Sequence, residues 1–179
     1  MYKGKKIFSL KHVMSLGFML LLLSTMQVFT TGVASAHTAS PTLAAALPFC
    51  GGSCDGKNPH SQGCDASAVD KYQTHVTDQL EGISAYIDIR YSIDCEAAWA
   101  LISFDQTLPD YTYGNAIITR TTDNRQFDCA SGDAIVYPGQ RSCYSGMVDD
   151  GDGTSAWAAA MDNYNGSPWS EFGRTSGAY

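Results

Sequence analysis

The segment Ile83–Ala100 carries a regular alternation of apolar and polar residues. The apolar set is Ile83, Ala85, Ile87, Ile89 and Tyr91, and the polar set is Ser84, Tyr86, Asp88, Arg90 and Ser92. Because side chains along a strand point to opposite faces in turn, this period of two predicts a half-buried β-strand. The chain then turns near Cys95, and the apolar run Ala97–Phe104 predicts the returning strand of a hairpin, with Trp99 as its largest core residue.

Shorter runs of β-branched and aromatic residues predict further strands. These runs are Tyr72–Asp78, Asn115–Thr122, Phe127–Cys129, Ala134–Tyr137, Ser142–Val148 and Ser155–Met161. The last two flank the acidic turn 149–153 and are therefore predicted to form a hairpin. Beyond them, Trp169 and Phe172 are expected to dock on the sheet. About seven short strands separated by turns predict an all-β fold, a small antiparallel sandwich or barrel.

The first 36 residues have the order of a secretory signal peptide. A lysine-rich start precedes the largely apolar stretch Val13–Phe29, and Ala34–Ala36 is a small-x-small cleavage sequence. An uncleaved anchor is less favoured, because polar residues interrupt the apolar stretch and it is shorter than the roughly 20 residues of a membrane span. We therefore predict cleavage before His37, a flexible lead-in over residues 37–49 and one domain over residues 50–179.

The predicted mature chain is strongly acidic. All 18 acidic residues but only seven of the 11 basic residues lie after residue 36, which gives a formal charge of −11. Such a surface disfavours nucleic acid and anionic membranes as partners and is typical of a soluble secreted protein. We expect an extracellular or cell-wall-associated protein whose mature chain does not insert stably into a membrane.

The six cysteines all lie after residue 49. An even number of cysteines behind a signal peptide predicts disulfides, although six cysteines allow 15 pairings and sequence does not choose among them. The predicted pairs are Cys129–Cys143, Cys54–Cys64 and Cys50–Cys95. The first would close a loop of about 15 residues. The other two would tie the N-terminal loop to the central hairpin.

Metal binding is the alternative use of these residues. Cys50, Cys54, Cys64 and His60 offer zinc ligands, but structural zinc sites normally have two close ligand pairs and only one is present. The acidic turn Asp149–Asp152 offers oxygen ligands for calcium, but it lacks the EF-hand pattern. We therefore expect a solvated turn and neither a metal nor another cofactor, and we leave calcium binding by the turn open.

Two motifs occur together and in order. They are Cys54–Cys64 (CDGKNPHSQGC) and Arg90–Ala100 (RYSIDCEAAWA). This combination resembles the bacterial family catalogued as domain of unknown function 2690, whose members carry C-x-G-K-x-P-x-x-x-G-C followed by R-Y-S-x-x-C-x-A-A-W-A. The resemblance covers roughly residues 50–169 and implies no activity, because the family has no assigned catalytic residues. The Cys129–Cys143 pair is not a feature of the family core.

No catalytic set is evident in the sequence. The G-x-S-x-G pattern of serine hydrolases is absent, and both His60 and His75 are favoured as solvated or structural histidines. Asp94 and Glu96 are neighbours on a turn, whereas a glycosidase needs two carboxyl groups at a set separation across a cleft. The sequence therefore identifies no catalytic residue.

The sequence predicts a binding module more than an enzyme. Arg90 and Tyr86 on the polar face of the central strand, and Lys57 in the N-terminal loop, are the candidate ligand-binding residues. Exposed aromatic side chains would suit sugars or peptides, although ordinary sheet packing also explains them. Our first hypothesis is a secreted, non-catalytic, disulfide-rich β-domain that binds an extracellular or cell-envelope ligand. The alternatives are a secreted hydrolase using carboxylates or His75 in a shallow cleft, and a structural envelope component.

Overall fold

The structure is a computed structural model that describes residues 50–151 and 154–175, and within these it contains nine strands. They are β1 (Ala68–Asp78), β2 (Ile83–Ser92), β3 (Ala97–Phe104), β4 (Thr112–Arg120), β5 (Gln126–Asp128), β6 (Ser142–Tyr144), β7 (Val148–Asp149), β8 (Ala156–Tyr164) and β9 (Ser170–Arg174). Short 3₁₀ turns lie at Gly51–Cys54, Cys64–Ser67 and Cys129–Ser131. The predicted signal peptide and lead-in lie outside the described residues. In the part that is described, no helix has the length and apolar character needed to cross a membrane.

The strands form two antiparallel sheets. One has the order β1-β2-β3-β6, with β7 pairing alongside β6 on the same edge of β3. The other has the order β5-β4-β8-β9. Buried residues of β2 and β3 pack against those of β4 and β8 in a single cluster, so the two sheets form a sandwich. The predicted all-β, antiparallel, disulfide-containing fold is confirmed.

The core between the sheets follows the alternation of the strands. Its buried members on three of the strands are Ala85, Ile87 and Ile89 of β2, Ala116 and Ile118 of β4, and Ala156, Ala158 and Ala160 of β8. Many of these residues are alanines, so the side chains that fill this core are small. At the β1–β9 edge a Cβ on Gly173 would overlap Val76, and only glycine fits there.

A second hydrophobic cluster lies on the outer face of the five-stranded sheet. It comprises Cys54, Cys64, Cys95, Ala97, Trp99 and Met147. Trp99 points away from the sandwich and is nevertheless only 2% exposed, because the loop 54–64 covers it. The prediction that Trp99 is buried is confirmed, but its place is beneath this loop and not between the sheets.

Two of the three predicted disulfide pairs differ from those in the structure. Cys129–Cys143 is confirmed, whereas Cys54–Cys64 and Cys50–Cys95 are wrong, since the structure joins Cys50 to Cys54 and Cys64 to Cys95. Strand register explains the second bond: Ala68 pairs with Ser92, so the residues just before β1 and just after β2 meet. Sequence spacing carries no information on that register.

Two of the strand predictions also fail. The run Ala134–Tyr137 forms only an isolated bridge between Val136 and Gly114, and Ala134 has a φ of +75°, outside the extended region. The hairpin predicted around the acidic turn is wrong, because β6 and β7 pair with β3 while β8 pairs with β4 in the other sheet. The turn therefore joins the two sheets.

Candidate functional site

The outer face of β2 brings together two of the three candidate residues. Tyr86 and Arg90 alternate with inward residues and share this face with Asp88. Tyr86 is 42% exposed and Arg90 is partly exposed. The predicted polar face is not fully solvated, however, since Asp88 and Ser92 are buried. Neighbouring strands flank Asp88 and Ser92 on both sides. The Ser92 hydroxyl also accepts a hydrogen bond from the Cys95 amide at the turn that follows β2.

Arg90 lines a small cavity between the sheet and the N-terminal loop. The other lining residues are Pro59, His60, Asp65, Trp99, Leu101 and Tyr144. The cavity has a volume of about 100 Å³. Strands β3 and β6 supply a tryptophan, a leucine and a tyrosine as one wall, and the loop supplies the other wall. The arrangement combines apolar surface with a guanidinium group and suits a small amphipathic group.

The loop side of the cavity is held in place by local bonds. His60 Nδ1 lies 2.7 Å from Asp65 Oδ2. The Asn58 side-chain amide donates to the Gly132 carbonyl at 2.7 Å and to the Tyr144 hydroxyl at 3.4 Å. Together with the Cys64–Cys95 disulfide, these contacts position the loop before any ligand arrives, which lowers the entropic cost of binding.

Arg90 has only a weak partner. Its Nε lies 3.1 Å from Asp70 Oδ1, but the side chain of Asp70 is 58% exposed, and an ion pair of this kind contributes little stability. The geometry is not that of a hydrogen bond, and Nε is buried without a hydrogen-bond partner. The guanidinium carbon lies 6.0 Å from the centre of the Trp99 ring, at the limit of a cation–π contact. A surface ion pair therefore describes only part of the environment of Arg90.

Asp88 lies two residues from Arg90 on the same face and is only 3% exposed. The pKa of its carboxyl group is raised, and burial is the largest cause, with a further contribution from the charge of Asp70. A hydrogen bond from Gln73 and the charge of Arg90 act in the opposite direction. The Oδ1 atom of Asp88 has no hydrogen-bond partner. Sequence alternation placed Asp88 on the polar face but could not show that the centre of this face is buried.

His75 lies beside Tyr86 but not in a catalytic arrangement. Its Nε2 is 3.0 Å from Asp105 Oδ2, and its ring centre is 4.6 Å from that of Tyr86. The Ser84 hydroxyl, further along the same face, shares a 3.0 Å hydrogen bond with the Thr77 hydroxyl. The structure thus shows a histidine with an orienting carboxylate, and a neighbouring serine bonded to another hydroxyl.

Lys57 is exposed on the N-terminal loop and is not among the described residues that line the cavity. Its backbone amide donates to the Cys54 carbonyl at 2.8 Å, and its carbonyl accepts from the Met147 amide at 2.9 Å. These bonds fix the loop to the segment before β7. Of the three candidates, Arg90 lines the cavity, whereas Tyr86 lies further along the same strand face and Lys57 lies outside the cavity.

The cysteines and the acidic turn make protein contacts. The sulfur atoms of Cys50, Cys54 and Cys64 lie within 4.8 Å of one another, but each belongs to a disulfide and so does not offer the thiolate that zinc binds. Asp149 Oδ1 accepts from the Gly151 amide and Asp150 Oδ1 accepts from the Thr154 hydroxyl, both at 3.2 Å. Asp152, the third aspartate of the turn, lies outside the described residues.

A partly buried ion-pair network ties the N-terminal loop to the four-stranded sheet. The Asp55 carboxylate binds Arg120 at 2.9 Å, contacts Arg125, and accepts from the Asp149 amide at 2.8 Å. A hydrogen bond from Arg120 lowers the pKa of Asp123 to about 2. Because the network satisfies its own charges, it is a structural feature.

A carboxyl pair that sequence reasoning missed lies between the sheets. Asp78 of β1 and Asp162 of β8 are 8% and 3% exposed and hydrogen-bond to each other. Burial, then the bond to Asp78 and the charges of Asp78 and Glu81, raise the pKa of Asp162 to about 6. The two groups touch directly and do not face each other across a cleft. Asp162 continues the series of inward positions 156, 158 and 160, and this pattern was the available signal.

Comparisons with known proteins agree with the two motifs. A family model described as "Protein of unknown function (DUF2690)" matches residues 52–159. The chain is 32% identical over 127 residues to the uncharacterized protein YjfA of Bacillus subtilis (strain 168), an alignment that covers 70% of this chain and 79% of the relative. No solved structure matches the chain. Residues of both motifs line the cavity beside Arg90. Since the family model matches more than half of its residues, the chain belongs to the DUF2690 family.

Proposed function

We propose that this protein is a secreted, non-catalytic β-domain that binds an extracellular or cell-envelope ligand in the cavity beside Arg90. The observation that carries the proposal is that both family motifs contribute to this one cavity. Pro59 and His60 come from the first motif, and Arg90 and Trp99 come from the second. The Cys64–Cys95 disulfide joins the two motifs covalently.

The chemistry of the cavity supports a binding role. A binding site typically combines apolar walls with a few placed polar groups, and here aromatic and aliphatic side chains surround one guanidinium. The walls belong to strands and to a cross-linked loop, which are rigid elements. Tyr86 continues the same face with an exposed ring that a larger ligand can contact.

Secretion is supported by the disulfides and by the signal-peptide pattern of the first 36 residues, since disulfides persist in oxidising compartments. The hydrolase alternative has less support. His75 has an orienting carboxylate in Asp105, but the neighbouring Ser84 hydroxyl is hydrogen-bonded to the Thr77 hydroxyl. Intact-mass measurement on protein from culture medium tests secretion. The expected mass lacks residues 1–36 and six hydrogens.

Cosedimentation with purified Bacillus cell walls tests binding. We expect the disulfide-bonded protein to be retained and Arg90→Ala to lose most of this retention. Arg174→Ala is the matched control, because this arginine pairs with Glu171 on the other sheet. Both variants must melt cooperatively. Equal retention of the wild type and Arg90→Ala would place the ligand elsewhere, and no retention of the wild type would contradict a cell-wall ligand.

A further inference from the structure

Two buried polar atoms in the described part of the chain have no hydrogen-bond partner, and both lie on the outer face of β2. They are Asp88 Oδ1 and Arg90 Nε. Buried side-chain polar atoms in native proteins are nearly always hydrogen-bonded, because leaving one unpaired is costly. Two such atoms on one short segment therefore indicate groups that are satisfied from outside the protein.

The two residues share one face of β2, and one of them lines the cavity. Residues 88 and 90 alternate with inward residues of the strand, and Arg90 lowers the pKa of Asp88. Across the strand register, Asp88 stands opposite Leu101 and Arg90 stands opposite Trp99. Both of these partners line the cavity, as Arg90 itself does, whereas Asp88 is not among the lining residues. The cavity therefore has a guanidinium and apolar surface in its lining, and the unpaired Asp88 carboxyl oxygen belongs to the residue two positions along the same strand face.

We propose that the ligand is anchored by the acetamido group of an N-acetylated amino sugar. This inference rests on the proposed function and specifies its ligand. The amide N–H of the sugar donates to Asp88 Oδ1, and the acetyl carbonyl accepts from Arg90 Nε. The methyl group contacts the apolar wall of Trp99 and Leu101. A secondary amide is a small neutral group that supplies one donor and one acceptor, with the N–H on one edge and the carbonyl on the opposite edge.

The size of the cavity agrees with this group. Its volume of about 100 Å³, counted as space open to the centre of a water molecule, is several times the roughly 10–15 Å³ that one water needs by the same measure. An acetamido group has four non-hydrogen atoms and ends in a methyl, so it can enter such a cavity from one side. A peptide amide inside a chain would need openings on two sides.

The charges of the site favour a neutral ligand. A carboxylate or phosphate would be attracted by Arg90 but repelled by Asp88 and Asp70 on the same face and by the acidic chain as a whole. Further along this face, the exposed Tyr86 ring offers a surface on which a sugar ring can stack. These features select a neutral N-acetylated sugar over an acidic polymer.

Titration calorimetry with defined oligosaccharides tests the ligand. The probes are the tetramer of N-acetylglucosamine, the tetramer of glucose and the tetramer of glucosamine, with a tetrapeptide that carries no acetyl group as the peptide probe. We expect binding of the N-acetylglucosamine tetramer alone. Binding of the tetrapeptide with no binding of the sugar would overturn the proposal in favour of a peptide ligand.

Variants at the two unpaired atoms test the contacts. Asp88→Leu removes the acceptor and Arg90→Lys keeps the charge but removes Nε, so each is expected to weaken binding of the tetramer about tenfold or more. Asp88→Asn retains a carbonyl oxygen and should bind within a few-fold of the wild type. Asp110→Asn is the matched control, because Asp110 is exposed and does not line the cavity. All variants are compared after their melting curves confirm folding.

The outcomes separate this inference from the proposed function. Cell-wall retention that depends on Arg90, with no affinity for the N-acetylglucosamine tetramer, would overturn the acetamido ligand and leave the binding role standing. Equal affinity of the tetramer for the wild type and for Asp88→Leu would overturn the placement of the amide. Loss of both retention and tetramer binding in the wild type would overturn both.

Discussion

Two hydrophobic clusters hold this chain together in different ways. The cluster between the sheets is built from alternating alanine and isoleucine residues on long strands. The cluster outside the five-stranded sheet consists of Trp99, cysteines, one alanine and Met147 under the loop 50–64, which has five Gly or Pro in fifteen residues. The first cluster follows from strand periodicity. The second depends on covalent bonds, because its loop has no apolar period of its own.

The difference matters for function, since the candidate ligand cavity belongs to the second cluster. Trp99 is both a member of that cluster and a wall of the cavity. The core between the sheets contains no residue of the loop, whereas the cavity has loop residues in one of its walls. Changes that loosen the second cluster should therefore affect binding more than changes of similar energetic cost between the sheets.

The largest expected effect is that of Trp99→Ala. Removing this buried side chain should lower the free energy of unfolding by about 3–5 kcal/mol, because it leaves a large cavity under the loop. Urea denaturation measures the change. In a background lacking Cys64 and Cys95 the same substitution should cost less, since the loop is no longer tied over the ring. A change near zero in the oxidised protein would contradict the second cluster.

Removal of disulfides should show a graded effect. Replacing Cys64 and Cys95 by alanine opens a loop with a sequence separation of 31 residues. By the chain-entropy relation, this should lower the free energy of unfolding by about 3.7 kcal/mol. Replacing Cys50 and Cys54 opens a loop with a sequence separation of only 4 residues and should lower the free energy of unfolding by about 1.9 kcal/mol. The two double variants are compared by urea denaturation. Equal losses would mean that the N-terminal bond does more than close a short turn.

The core between the sheets should respond to pH through Asp162. Its pKa is about 6 in the folded protein and about 3.9 when unfolded, so folding favours the protonated form. The resulting stabilisation is fully present below about pH 4 and is lost as pH rises through 6. The loss should be at most about 3 kcal/mol. Denaturation curves from pH 3.5 to 8 measure it.

Asp162→Asn provides the matched test of this pH response. The amide cannot ionise and can still donate a hydrogen bond to Asp78, so the variant should be more stable than the wild type at pH 7.5 and should lose most of the pH dependence. Asp110→Asn, at an exposed carboxyl, is the control. An unchanged pH profile in Asp162→Asn would refute the role of the carboxyl pair.

The smallest expected effect contrasts glycines of the two regions. A Cβ on Gly173 would overlap Val76 at the edge of the sandwich, so Gly173→Ala should cost about 1–3 kcal/mol through overpacking. A Cβ on Gly52, beside the second cluster, would meet only Asp149 Oδ2 at 3.8 Å, and Gly52→Ala should be nearly neutral. Thermal melting of both variants checks the contrast, and a neutral Gly173→Ala would show that the sheets are less tightly packed.

Sequence reasoning succeeded where the pattern is local. The β2–β3 hairpin has the predicted alternation, and β3 has the predicted bounds, because burial of one face imposes a period of two on the residues themselves. It failed where partners are distant. The strands around the acidic turn resemble a hairpin locally, but each finds its partner in a different sheet.

The cysteines show why the sequence alone does not reveal the candidate site. The sulfurs of Cys50, Cys54 and Cys64 lie within 4.8 Å of one another, so small differences in register decide which of them bond. The same register places Pro59 of one motif against Arg90 and Trp99 of the other. Neither motif reveals that contact by itself.

The sequence by itself determined the all-β class, the membership of the family and the presence of disulfides, because periodicity, motifs and cysteine number are properties of the chain. Only the tertiary structure decided the pairing of Cys64 with Cys95, the burial of Asp88 and the cavity beside Arg90. The physical reason is that strand partners are chosen by the burial of whole faces, over separations that no local pattern encodes.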